Sequence, residues 1–90
     1  MSAIYDKDPD AVLNYVFDWS DWLATGETIS TSLMTVETGL TLDSDSNTTT
    51  TATATLSGGT AGESYAVANK ITTSTGQTDE RTITINCVER

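Results

Sequence analysis

Asp43, Asp45 and Asn47 stand at alternate positions, the spacing with which a calcium loop begins. Such a loop also needs a glycine at its sixth position and a closing glutamate, and both are missing here, so a solvated polar loop is the better reading. Asp79 and Glu80 are paired carboxylates beside a hairpin loop, where water would leave them untuned for acid catalysis. Ser57-Gly58-Gly59-Thr60 is rich in glycine, yet no lysine follows it and it opens no helix, so it is no phosphate cradle. The chain has no histidine and one cysteine, Cys87. A Ser–His pair, a histidine metal site and a thiolate cluster are all impossible on that inventory. We therefore expect no enzymatic activity, no metal and no cofactor.

Binding potential is concentrated in Trp19 and Trp22. One of them is expected to pack between sheets. The other, on a turn, has the amphipathic character found at interface hot spots. Trp22 is the better candidate for contact because it follows the strand, and the hairpin loop at Gly76 is expected to share the contact surface.

The 13 acidic residues against 4 basic ones give a formal charge of -9. Binding along a nucleic-acid backbone needs the opposite sign, so DNA and RNA are not expected partners. The acidity either keeps a small β domain soluble and its edges apart, or steers it to a basic partner. Met1 to Asp10 is polar with no apolar run behind it, so a secretory signal is not expected. No stretch approaches the length of an apolar membrane span. Cys87, with no second cysteine to pair with, reads as a small hydrophobe on the last strand.

Ninety residues hold one domain with one core. Residues 1–10 read as a charged, flexible arm without a regular core contact, and residues 11–90 as the folded domain. Leu13 to Trp19 alternates large apolar and smaller or polar positions, which favours a strand over a helix begun at Asp8 and Pro9. Ser20 to Leu23 is a tight turn or one helical turn, closed by Gly26. Thr28 to Val36 is β-branched and extended, Gly39 turns the chain, and Leu40 to Leu42 is a short strand. Asp43 to Asn47 is a loop by composition. In Thr48 to Leu56 the small residues Ala52 and Ala54 share a face with Leu56, opposite a ladder of threonines.

Tyr65, Val67, Asn69 and Ile71 then fall on one face, and Ile83, Ile85 and Cys87 on one face of the returning strand. A tyrosine two positions before a buried residue marks the corner into the penultimate strand of an immunoglobulin-like sandwich. These seven, with Phe17 and Leu56, are the expected core; Asn69 is expected near the sheet end, where water reaches it. The fold class is all-β, a single antiparallel immunoglobulin-like β-sandwich of five to seven strands.

Several blocks in this order resemble one family. They are Lys7-Asp8-Pro9-Asp10-Ala11-Val12-Leu13, Asp18-Trp19-Ser20-Asp21-Trp22-Leu23, Gly26-Glu27-Thr28-Ile29-Ser30, the Leu56–Tyr65 corner and the Arg81–Asn86 ending. Together they are similar to the fiber–tail adaptor proteins of tailed bacteriophages, over almost the whole chain. Family members often carry a tryptophan where Met34 stands here, a departure that touches packing or contact surface.

The resemblance implies an immunoglobulin-like structural protein of a phage virion, assembled in the host bacterial cytoplasm and present in multiple copies in a symmetric particle. Its partners would be other virion proteins of the tail, neck, fibre or capsid, with no nucleic acid and no membrane. Two other readings stand beside the adaptor: a capsid decoration protein, and a carbohydrate-binding module for host recognition built on Trp19 and Trp22. The arm is expected to be ordered only on a neighbouring protein.

Overall fold

The computed structural model describes residues 4–88. Period-two alternation of apolar and polar side chains runs through its strands, and this pattern separates an inner from an outer face. The strands are β1 (Ile4–Lys7), β2 (Leu13–Asp18), β3 (Ile29–Val36), β4 (Leu40–Asn47), β5 (Thr51–Gly58), β6 (Ser64–Thr73) and β7 (Thr78–Cys87). One sheet has the order β1-β7-β6-β3 and the other β2-β5-β4. All pairings are antiparallel except that of β1 with β7. The result is an all-β sandwich.

The inner faces meet in one cluster. Phe17, Leu56, Val67, Ile71, Ile83, Ile85 and Cys87 are all buried, as their alternation predicts. Ala52 and Ala54 are fully buried at the centre of the smaller sheet. Met34 is buried in the same cluster.

The strand registers give the sandwich two distinct ends. At one end lie the β2–β3, β4–β5 and β6–β7 connections. At the other lie the β3–β4 and β5–β6 turns together with Lys7 and Cys87. Tyr65 organises this second end. Its Oη accepts from the Thr60 amide at 3.0 Å, which fastens the β5–β6 turn to the start of β6. Its ring lies against Gly39 and Gly59, both at positive φ, where a Cβ would come within 2.8 Å and 3.4 Å of ring carbons. At Gly59 a Cβ would also stand 2.3 Å from Cys87 Sγ. The buried thiol and the turn therefore need glycine there.

Ile4–Lys7 is a strand in the larger sheet, where the sequence reading expected a free arm. Its register sets Tyr5 beside Ile85 and Lys7 beside Cys87, on the inner face. Lys7 is fully buried; its Nζ donates to Gly58 O at 2.7 Å and to Asp8 O at 2.9 Å. A lysine stem is apolar enough to pack inward, and here the ammonium finds carbonyls at the sheet end. The Val88 amide donates to Lys7 O at 2.9 Å, closing the pair. Met1, Ser2 and Ala3 of the expected arm lie outside the described residues.

Asp43 to Asn47, expected to be a loop, continues β4 instead. A bulge between Leu42 and Ser44 shifts the register, and Asp45 and Asn47 then pair with Ala54 and Ala52 of β5. Backbone pairing to a central strand holds this segment, although its side chains are exposed. An edge strand gains from such acids, because a charge on the inner side discourages pairing with another chain.

Gly59→Ala is expected to destabilise the fold by about 2–4 kcal/mol, from overpacking against Cys87 and a left-handed backbone. Urea denaturation measures it, and adding Cys87→Ala should return part of the loss, since it removes the closest clash.

Candidate docking surface

Trp19 leaves the end of β2 and turns straight inward. Its amide donates to Thr50 O at 2.9 Å, and its own carbonyl accepts from the amides of Trp22 and Leu23 at 2.9 and 3.0 Å. The segment Ser20 to Leu23, expected as a tight turn or one helical turn, is thus a single turn closed on the Trp19 carbonyl. It places the two indoles edge to face, with centroids 5.4 Å apart and planes at 72°.

Trp19 is fully buried. Its Nε1–H donates to Asn69 Oδ1 at 2.8 Å, and Asn69 Nδ2 donates to Ser32 Oγ at 2.8 Å and Leu33 O at 3.3 Å. Asn69 is thus at the centre of the sandwich with no exposed surface, not at a wet sheet end. The indole supplies the partner that a buried amide needs. Over the other side of Trp19 lies Arg81, with Cζ 4.2 Å from a ring centroid and Nη1 donating to Asp18 O at 2.7 Å. Hydrogen bonds from Ser20 hold the Asp18 carboxyl below its usual value, and Arg81 adds to the effect.

Trp22 is half-buried at the rim. It lines an open groove of about 410 Å³ together with the 24–27 segment, Thr75 and Gln77. Thr75 and Gln77 flank Gly76, so Trp22 and the Gly76 hairpin, both expected as contact residues, come to the same end of the molecule. Trp19 does not join them at the surface; its ring belongs to the core. An exposed platform of two tryptophans is therefore not formed.

Glu27 is the residue that sequence reasoning missed. Gly26 and Glu27 follow the turn with no motif to single out the acid, and the carboxylate is nonetheless buried. Its Oε1 accepts from the Ala24 amide at 3.0 Å, and its Oε2 accepts from the Thr73 hydroxyl at 2.6 Å and from the Thr75 hydroxyl. These bonds clamp the β2–β3 connection onto the β6–β7 hairpin. Thr28 and Ser74 reinforce the clamp through Thr28 N–H to Ser74 Oγ at 3.1 Å and Ser74 N–H to Thr28 O at 2.8 Å. The Thr73 bond, then those of Thr75 and Ala24, hold the Glu27 carboxyl below its ordinary 4.5, against a burial that acts the other way.

The chemistry this surface offers is a carboxylate, hydroxyls and an indole edge around a groove. Among the described residues no group of three or more His, Cys, Asp or Glu is placed to share a metal ion. Among the described residues no helix is long and apolar enough to cross a membrane.

The family model of the podophage GP4 fiber-tail adaptor protein gp77 matches residues 7–86. The chain belongs to this family. The match begins at Lys7, the buried cation of β1, and ends at Asn86 in β7, so the adaptor family pattern takes in both sheets and the groove. Among curated proteins, none matches the chain.

Asn69→Leu should destabilise the protein by about 1–3 kcal/mol, because it strands the Trp19 indole N–H in the core; chemical denaturation checks this. A second expectation concerns acid. With its carboxyl held below 4.5 in the folded state, Glu27 contributes stability above that pH, and the contribution disappears as pH falls through the lowered value. Thermal melts of Glu27→Gln should accordingly fall less steeply below pH 4.5 than those of the parent, while the parallel Asp18 effect stays in both.

Proposed function

We propose that the chain is a non-enzymatic structural protein of a tailed-phage virion, an immunoglobulin-like adaptor docking tail or neck components to fibre or tip proteins. The observation that carries this reading is the fiber-tail adaptor family match over residues 7–86. The strand order, with β6 entered through Tyr65 and tied back to Thr60, supports the immunoglobulin-like assignment. A body of 42 × 22 × 19 Å with functional loops at one end suits a spacer between larger parts.

The partners are other virion proteins, met after folding in the host bacterial cytoplasm, and Trp22 and the Gly76 hairpin form part of the contact. Particles of this kind are symmetric, so the adaptor is present in several copies around one vertex.

Quantitative mass spectrometry of purified particles tests the assignment. The adaptor reading expects about six to twelve copies per particle, following ring symmetry. Hundreds of copies would make the chain a shell decoration protein instead, and its absence from particles would remove it from the virion.

A further inference from the structure

We propose that the groove beside Trp22 receives a basic side chain, an arginine guanidinium, from the protein on which this chain docks. The inference rests on the adaptor reading for the existence of a partner; the groove itself supplies the chemistry.

Glu27 sits in the groove wall as a buried carboxylate whose three hydrogen-bond donors, Ala24 N–H and the Thr73 and Thr75 hydroxyls, are all neutral. A buried anion that meets only neutral donors gains from a cation brought alongside it. The chain's own described cations are committed elsewhere. Lys7 is capped by Gly58 O at the opposite end, Arg81 lies on Trp19 and bonds Asp18 O, and Lys70 is exposed on the outer face of β6.

Trp22 supplies the second half of the recognition. An indole beside a carboxylate suits a guanidinium, which stacks on one and bonds the other with its planar fork. The same fold already holds this contact once, with Arg81 4.2 Å from the Trp19 centroid. The groove, about 410 Å³, admits such a side chain. The formal charge of -9 favours approach of a basic partner surface.

The test is a titration of the full chain with N-acetyl-arginine amide, followed through the two indole N–H signals in NMR spectra. The Trp22 signal should move saturably, with half-saturation at about 1 mM. The Trp19 signal, fixed by Asn69, should stay in place as a marker of the intact core. The neutral citrulline counterpart should bind at least about tenfold more weakly, as should the arginine probe to Glu27→Gln.

Because Glu27 also clamps the hairpin, Gln77→Arg is the second variant: it sets a guanidinium in the groove wall and leaves the donors of Glu27 untouched. It should abolish probe binding with the Trp19 signal unchanged, and should keep the chain out of assembled particles. A response that does not saturate, equal binding of citrulline, or full probe binding to Gln77→Arg would overturn the proposal. Normal entry of Gln77→Arg into particles would overturn it too, and leave the adaptor reading standing. Absence of the unaltered chain from particles would instead remove that reading.

Discussion

The hydrogen bond from Trp19 Nε1 to Asn69 Oδ1, wholly out of water, ties the two sheets to one another. Trp19 continues β2, from the smaller sheet, and Asn69 sits on β6, inside the larger one. Through its other amide atom Asn69 reaches Ser32 and Leu33 of β3, so one side chain joins three strands. Apolar contacts alone tolerate sliding. A buried amide with a single well-placed donor does not, because any slip leaves polar atoms unpaired. The register of β6 against β3, and the point where β2 must turn, are both fixed by this pair.

From that point the rest of the loop end follows. The Trp19 carbonyl closes the turn that presents Trp22, Trp22 packs its edge on Trp19, and Arg81 covers the remaining indole surface. Glu27 then ties the chain leaving this turn to the β6–β7 hairpin. The groove is therefore held by hydrogen bonds whose anchor is in the core. A rigid contact surface loses less conformational entropy on binding than a mobile one.

Much of the core was legible because period two is a strong signal where apolar residues hold it. Tyr65, Val67 and Ile71, and Ile83, Ile85 and Cys87, are buried as their spacing requires. The sequence misled where burial involves polar atoms or where pairing replaces burial. Asn69 occupies an inner position that looks unfavourable until a donor arrives from fifty residues away. Lys7 looks like a solvated charge beside three aspartates, yet its ammonium ends on two carbonyl oxygens, that of the neighbouring Asp8 and that of the remote Gly58. Asp43 to Asn47 has loop composition, and its strand geometry comes entirely from the partner β5. At the candidate site, Trp22 and Gly76 could be named from residue type and turn position. Their neighbour Glu27 could not, because its importance lies in hydroxyls brought by the distant hairpin.

The two ends of the sandwich are closed by different means. At the Lys7 end, Tyr65 and Cys87 pack so tightly against Gly39 and Gly59 that no side chain could be added at either glycine. The Gly62 amide bonds Cys87 O and the Cys87 amide bonds Glu63 O, at 2.8 and 2.9 Å, which leaves this end well satisfied internally. The Trp22 end keeps an open groove with a carboxylate in its wall. Between the ends, Ile4, Tyr5, Val12, Leu13 and Val16 remain exposed on β1, on β2 and just before it, where Tyr5 and Tyr15 bring the two sheet edges together with ring centroids 5.3 Å apart. An open polar groove thus lies at one end, and most of the exposed apolar surface along one seam. A small sandwich cannot bury every hydrophobe its sheets require: most of the excess lies along this seam, Leu33 is exposed on β3 at the opposite edge, and beside it the acid-rich β4 carries the charges that discourage pairing with another chain.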